Sequence, residues 1–403
     1  MYQQYFVILI LFTCRLCLST LMGSDASVVN VSRSLVSIKR HISDNPSEME
    51  LRTFGLFEEK SHYCLIDTSH PTHNENFWLR RGPKSAYSLK GTTYWINEFM
   101  SVGHVYLDIG LIQLLRTVRI DNIVLQRAPC ATADLCQGIG TYKSFFQYFY
   151  HVAIKAANSS AAVYVRFEKD EKEWKPLIKG DPEDRELSPI PVNRITCFDK
   201  VYRTMLRGCS PDSVSAAGAR EFKQTAYKLH QPFPLPLMRP PPSLRQQIVT
   251  FMYRGQNYTR SLQNYPLLID SLKSTIASEF PNSDIAVKIV DLSQESSIKN
   301  QISTVAEADV IISTHGAVES NMVYARDHTL WIELRGTSEL YHTEGRNYAV
   351  LASLFSLRYE HIVMNMLDLP KQPSYTITTR EVEMITNCTI NYLKFRQHVK
   401  HDS

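Results

Sequence analysis

Ala308-Asp309-Val310-Ile311-Ile312-Ser313-Thr314-His315-Gly316-Ala317-Val318-Glu319-Ser320-Asn321 runs from an apolar, β-branched stretch into a His-Gly-Ala turn and then a short helix-compatible segment. Such a run reads as a strand buried on both faces, the kind a parallel sheet uses. In an open α/β sheet, ligands bind outside the carboxyl ends of the strands. Free backbone N–H groups and a helix N-terminus favour a phosphate there. Gly316 and Ala317 let a ligand come close to the backbone, and His315 adds a polar side chain at the same rim. Taken alone, these residues fit an ordinary strand–turn–helix with a capped histidine equally well.

The flanking chain repeats the pattern. Ile248-Val249-Thr250-Phe251-Met252-Tyr253 reads as a buried strand ending at Arg254. A helix is expected from about Asn264, with Leu268, Leu272 and Ile276 on one stripe at i+4 spacing. Ile285–Val290 is the next strand, Ile298–Glu307 the next helix, and Thr329–Leu334 a strand beyond the turn. Strands alternating with helices mean βαβ units and a parallel sheet. Right-handed crossovers bring the strand ends carrying Arg254, His315 and Glu333 to one edge. A cation and a turn for phosphate, with a carboxylate for sugar hydroxyls, suit a nucleotide-sugar donor.

Several motifs in this region are similar to the C-terminal signature of glycosyltransferase family 61: Ser297-Ile298-Lys299-Asn300-Gln301-Ile302, Ala308-Asp309, and His315-Gly316-Ala317 with Asn321. That family includes plant β-1,2-xylosyltransferases, xylan arabinosyl- and xylosyltransferases, and animal O-linked GlcNAc transferases of the secretory pathway. Arg254, Arg260 and Asn264 match its Arg…Arg-x-x-x-Asn element, and Glu333 its strand-end glutamate. Gly103-His104-Val105-Tyr106-Leu107-Asp108 resembles its Gly-His-x-x-x-Asp segment. The chain departs from the pattern after His-Gly-Ala, where Val318-Glu319 replaces Gly and an apolar residue. A carboxylate in the first turn suits a helix dipole but competes with phosphate for it.

The resemblance implies two facing Rossmann-like domains of GT-B type, with a C-terminal helix packing back on the N-terminal domain. It also implies inverting transfer from a nucleotide sugar, with UDP the expected nucleotide. Donor contacts are then expected from Arg254, Arg260, Asn264, His315, Gly316, Ala317, Asn321 and Glu333. The last of these would accept from the ribose. For the base that takes the acceptor proton, Asp108 is the first candidate, His104 the second and Glu319 the third. The scheme needs no metal and no cofactor beyond the donor. The partners are the nucleotide sugar and a glycan or glycoprotein acceptor. A catalytically silent secreted binding protein on the same fold is the alternative.

Composition sets the bounds. The 403 residues leave room for two domains, and 44% hydrophobic with 21% charged residues describe a globular protein. A formal charge of +4 with no long basic stripe argues against nucleic acid. Phe6–Thr13 is too short to span a bilayer and fits a signal-peptide core. Residues 1–23 are therefore expected to be a signal peptide or short signal-anchor. Any membrane contact would come through this segment if it stays uncleaved. Sequons at Asn30, Asn158, Asn257 and Asn387 agree with the lumen of the endoplasmic reticulum or Golgi, or with secretion if the leader is removed. Beyond the leader lie Cys64, Cys130, Cys136, Cys197, Cys209 and Cys388, an even number that suggests disulfides. Cys130–Cys136 and Cys197–Cys209 are the shortest closures, leaving Cys64 with Cys388, although spacing does not fix connectivity.

Residues 24–50 read as a stem, 51–230 as an acceptor-side domain, and 246–370 as the nucleotide-sugar-binding domain. Pro232, Pro234, Pro236, Pro240, Pro241 and Pro242 make 231–245 an extended linker. In the first domain, Ile123–Leu125 and Ala162–Val165 read as strands, Val105–Leu115 and Tyr142–Ala157 as helices, and Lys169–Asp184 as a surface loop. Phe145, Phe146, Phe149 and Tyr150 are expected in the core. In 371–403, the capping box Thr378-x-x-Glu381 opens a helix with Val382, Ile385, Cys388, Tyr392 and Phe395 on one face.

Overall fold

The structure is a computed structural model. It describes residues 58–66, 77–79, 87–96, 109–125, 143–165, 173–178, 189–191, 195–203, 215–230, 245–253, 255, 260–291, 297–336, 344–367 and 374–398. The leader, the stem, nearly all of the Pro-rich linker, His104, Asp108, Arg254, Asn30, Asn257, Cys130, Cys136 and Cys209 lie outside the described residues, as do the side chains of Phe145 and Phe146. All described residues fall in one compact unit, Arg40–Ser403.

The first half contributes β1 (Glu58–Ile66), β2 (Phe77–Leu79), β3 (Tyr87–Ile96), α1 (Leu111–Thr117), β4 (Asn122–Leu125), α2 (Lys143–Ala156), β5 (Ala162–Val165), β6 (Glu173–Ile178), β7 (Ile190–Pro191), β8 (Ile195–Arg203) and α3 (Ala216–Leu229). The second half contributes β9 (Gln247–Tyr253), α4 (Tyr265–Glu279), β10 (Ile285–Asp291), α5 (Ile298–Glu307), β11 (Val310–Thr314), a 3-10 helix (Ala317–Tyr324), β12 (Leu330–Gly336), α6 (Glu344–Leu354), β13 (Arg358–Leu367), β14 (Ser374–Thr376) and α7 (Thr379–His398).

The strands form two sheets, and both carry parallel strands, so the protein is α/β. The first has the order β2-β1-β8-β3-β4-β5-β6-β7. Its centre, β8-β3-β4-β5, is parallel, and antiparallel strands close both edges. The expected strands β4 and β5 are fully buried, and Phe149 and Tyr150 of α2 are core residues. One expectation is corrected: Lys169–Asp184 is not all loop, because β6 lies within it and pairs with β5. An outer strand needs little apolar sequence, since its charged side chains can stay in water. Glu173 and Lys175 do so.

The second sheet has the order β10-β9-β11-β12-β13-β14, parallel except for β14. β11 and β12 are buried along their whole lengths, as strands covered by helices on both faces are. Numbered along the chain, the parallel strands run 2-1-3-4-5. The connection from β10 to β11 passes over β9, so the direction of winding reverses between β9 and β11. The carboxyl edge of that gap is where open α/β sheets take ligands.

The C-terminal helix forms behind the expected capping box: Thr378 N–H donates to Glu381 at 2.7 Å, and Glu381 N–H donates to Thr378 Oγ1 at 3.3 Å. Its expected partner surface is corrected. Among the described residues, α7 packs on α4 and β13 of the second sheet rather than back on the N-terminal half. Val382, Ile385, Tyr392 and Leu393 share one core with Leu268, Leu272 and Ile276, the apolar stripe of α4. Lys394 pairs with Glu279 at 2.5 Å on the rim of that contact. Phe395 stays 37% exposed, under the Arg358 guanidinium at 4.0 Å.

A buried bond joins the halves instead through α3. Lys223, 2% exposed, donates to Asp327 at 2.7 Å and to the Phe355 carbonyl at 2.8 Å. Tyr227 donates to the Tyr324 carbonyl at 2.7 Å, so α3 buttresses the end of the 3-10 helix. The cysteine pairing is also corrected: Cys388 is a thiol packed against the second core, not a disulfide partner of Cys64. Cys197 is disulfide-bonded, and Cys64 is the residue opposite it in the β1–β8 register.

Candidate functional site

The pairing of β11 with β12 continues one residue past the strand, where His315 N–H donates to the Leu334 carbonyl at 2.9 Å. Gly316 then turns the chain with φ 141° and ψ −152°. That region is essentially closed to residues with a Cβ, which explains the glycine. Glu319 folds back over the turn. Its carboxylate accepts from Gly316 N–H at 2.7 Å and from the Ser313 hydroxyl at 3.1 Å. Ser313 in turn accepts from Trp331 Nε1 at 2.9 Å. Tyr348 of α6 donates to the Gly316 carbonyl at 3.1 Å and sets its ring edge-on to the His315 imidazole, 5.6 Å between centroids. The turn that reads from sequence as a phosphate cradle is thus shaped by a carboxylate at its own third helical position.

Beside it, Glu333 sits 0% exposed in the middle of β12, opposite Ser313 of β11, because the strand runs on to Gly336 and does not end at the glutamate as the sequence suggested. Its Oε1 meets His315 Nδ1, and its Oε2 accepts from Arg335 Nη2 at 2.7 Å and from the Tyr359 hydroxyl. Arg335 also donates to Tyr359 Oη at 2.7 Å. Burial pushes the Glu333 carboxyl up, but the hydrogen bonds from His315 and Arg335 outweigh it and hold the group below the ordinary range. The same desolvation, with Glu333 beside it, pushes the Tyr359 phenol well above its ordinary value. Burial works against the Arg335 cation, yet its bond to Glu333 raises it. Burial, then Arg335, lowers His361 on β13.

The structure therefore brings together His315, Gly316, Glu319 and Glu333, with Ala317 opening the 3-10 helix. Asn321 follows on that helix, 3% exposed, with its amide 3.5 Å from Gln301 of α5. Its Oδ1 is buried and has no hydrogen-bond partner among the described residues. Asn264 is the N-cap residue of α4, where its amide donates to the Ile377 carbonyl and accepts from Ile377 N–H, both at 2.8 Å. That side chain ties the start of α4 to the start of α7. Arg260 lies nearby, half-buried, with φ 65°. β9 ends at Tyr253, one residue before Arg254. Asp309 serves the opposite end of β11, about 17 Å away along a five-residue strand. It holds Arg245 bidentately and accepts from Ile248 N–H at 3.0 Å, fixing where β9 and β11 begin.

Sequence reasoning missed Arg335, Tyr359, Tyr348 and Arg245. Arg335 had a signal, because it stands two residues from Glu333 on one strand and so shares its face. Tyr359 and Tyr348 lie in elements with no readable period.

A five-stranded parallel layer ordered 2-1-3-4-5, with a glycine turn after β11 and a buried charged network across β11, β12 and β13, defines an α/β protein. Residues 103–332, more than half of the chain, match the family model Glycosyltransferase 61, and the chain belongs to that glycosyltransferase family. The match contains the whole turn and ends one residue before Glu333. No curated protein matches the chain. Among solved structures, a diflavin flavoprotein from Nostoc sp. is 11% identical, over 38% of this chain and 94% of that one, with a TM-score of 0.24. An azoreductase from Bacillus anthracis is 13% identical over 38% and 99%, TM-score 0.22, and a second azoreductase 11% over 37% and 99%, TM-score 0.21. Overlaps this slight bear on neither the fold nor the chemistry of this chain.

Proposed function

We propose that this family 61 member is an inverting glycosyltransferase that moves a sugar from a UDP-sugar to a hydroxyl of a glycan or protein in the secretory pathway. The observation that carries the reading is the position of the His315-Gly316 turn, at the carboxyl edge between β9 and β11 and inside the family-matched region. The two sheets are read as the two facing domains of a GT-B arrangement, acceptor on the first and donor on the second.

In this scheme Arg254, Arg260 and His315 face the diphosphate. Its charge grows as the bond from the anomeric carbon to the leaving oxygen breaks, so fixed cations aimed there contribute most. The acceptor oxygen attacks the same carbon from the opposite side and gives its proton to a base. Asp108 is the preferred base and His104 the second. Glu319 is better read as a cap, because both of its oxygens already accept hydrogen bonds within the turn. The silent-protein alternative has no observation in its favour.

The test is a panel of UDP-sugars incubated with the purified chain. Release of UDP from one sugar above an ADP-glucose or GDP-mannose background supports the reading. No release from any of them, together with no UDP binding, overturns it.

A further inference from the structure

Of the four Asn-x-Ser/Thr sequons, those at Asn158 and Asn387 lie among the described residues, and the fold treats them differently. Asn158-Ser159-Ser160 is the turn between α2 and β5. Asn158 is exposed and has φ 50°. Its N–H donates to the Lys155 carbonyl at 3.1 Å, and the Ser159 N–H donates to the Ile154 carbonyl at 3.0 Å. This pair of bonds closes a helix through a left-handed residue, a place that glycine usually takes and asparagine sometimes does. The closure uses backbone groups alone, so it makes no demand on the Asn158 amide side chain. The Ser159 hydroxyl stays within the turn and accepts from Ala161 N–H at 3.2 Å. Ser160, the third residue of the sequon, is exposed.

Asn387-Cys388-Thr389 falls inside the 20-residue α7. Asn387 is exposed, but Thr389 is 0% exposed. A glycan acceptor belongs on a surface loop, where the asparagine and the hydroxyl residue can be reached together. Once α7 has formed, the second sequon no longer offers that.

We propose that Asn158 is a site of N-linked glycosylation and that Asn387 is left unmodified. The proposal rests on the secretory-pathway location in the function proposed above, since that is where the chain meets a lipid-linked oligosaccharide diphosphate. In the transfer, the bond from the anomeric carbon to the diphosphate oxygen breaks, and the lipid diphosphate leaves with the electron pair. The anomeric carbon bonds to Asn158 Nδ2, which gives one proton to a base of the transferring enzyme. A glycan is bulky and polar and needs a free surface. Asn158 has one, because it precedes β5 and so stands at the amino edge of the first sheet. The four residues of β5, about 13 Å, separate it from the carboxyl edge, which the glycan leaves open.

An asparagine kept only to close α2 makes no use of Ser160, whereas a glycosylated one requires its hydroxyl. That difference separates the two roles without disturbing the turn. Ser160→Ala removes the acceptor signal and keeps the cap; Ser160→Thr keeps both. Asn158→Gly keeps the left-handed turn and removes the acceptor nitrogen.

The experiment is peptide mapping of the full chain secreted from a eukaryotic cell. Treatment with an N-glycosidase in heavy-oxygen water converts each glycosylated asparagine to labelled aspartate. Position 158 should carry the label in the wild type and in Ser160→Thr, and lose it in Ser160→Ala. Position 387 should remain an unlabelled asparagine throughout. Ser160→Ala and Asn158→Gly should each run faster than the wild type by one glycan, with Tm and UDP release unchanged. An unlabelled position 158 in a chain labelled at Asn30 or Asn257 overturns the proposal and leaves the secretory reading standing. A chain labelled nowhere overturns both. A label at position 387 as complete as at 158 overturns the selection between them by the fold, and a label at 158 that survives Ser160→Ala overturns the role of the sequon.

Discussion

Glu319→Gln removes the charge from a side chain that is 0% exposed and lies 2.7 Å from Gly316 N–H and 3.1 Å from Ser313 Oγ. The glutamine carbonyl can still accept from Gly316. Its NH2 then faces a Ser313 oxygen that already accepts from Trp331 Nε1 at 2.9 Å, so the serine proton loses its acceptor. Loss of one hydrogen bond to a charged group costs about 1.5–3 kcal/mol. Unfolding entropy of about 2.1 cal/mol/K per residue over 403 residues gives roughly 0.85 kcal/mol per kelvin. Tm should therefore fall by about 2–4 °C, and by roughly twice that in Glu319→Ala. The variant should bind UDP at least as well as the wild type, because a carboxylate no longer competes for the Gly316 amide. Differential scanning calorimetry and UDP titration on one preparation read both quantities. If Tm is unchanged while transfer falls by about 10²-fold or more, the usual loss with a general base, Glu319 is the catalytic carboxylate and the capping argument is wrong.

Arg254→Ala should weaken UDP binding by about 1.5–3 kcal/mol, and an unchanged affinity in the folded variant removes it from the site. Asp108→Asn should leave UDP affinity intact while transfer falls by about 10²–10⁴-fold; loss of affinity and thermal stability together would mean a structural role. Non-reducing peptide mapping should recover Cys64 linked to Cys197, as their register implies, and Cys388 as a thiol that alkylates without reduction. Because the Glu333 carboxyl is held below its ordinary value near 4.5, its ionised form stabilises the fold fully above that pH. That contribution disappears as pH falls through the lower, folded value. Glu333→Gln should be less stable at neutral pH and lose less on acidification; an acid limb as steep as the wild type's refutes this.

The second half was legible because strands buried on both faces are written as apolar runs. β9, α4, β10, α5, β11 and β12 all fall where period and punctuation put them, and α5 spans Ile298–Glu307 as expected. β13 was not legible, since Arg358, Glu360 and His361 interrupt its apolar residues and hide a strand that is parallel to β12. The face of α7 showed that it needs a partner, but amphipathicity carries no address, and α4 offered the nearer apolar stripe. Within the site, motif spacing located His315, Gly316 and Glu333 but not their uses. Asn264 matches the spacing of a ligand residue, yet an amide that can donate and accept at once suits the Ile377 backbone equally well. Whether the Glu333 carboxylate faces a ribose or Arg335 and Tyr359 depends on a strand with no readable period.

The central claim is that a nucleotide diphosphate binds at the His315-Gly316 turn, in the crevice between β9 and β11. The most direct test is a crystal structure of the full chain with saturating UDP. The diphosphate should lie within hydrogen-bond distance of the Gly316 and Ala317 amides and His315 Nε2, with the Glu319 carboxylate displaced from Gly316. UDP bound at the first sheet instead, or a turn unchanged with Glu319 still on Gly316 N–H, would contradict it.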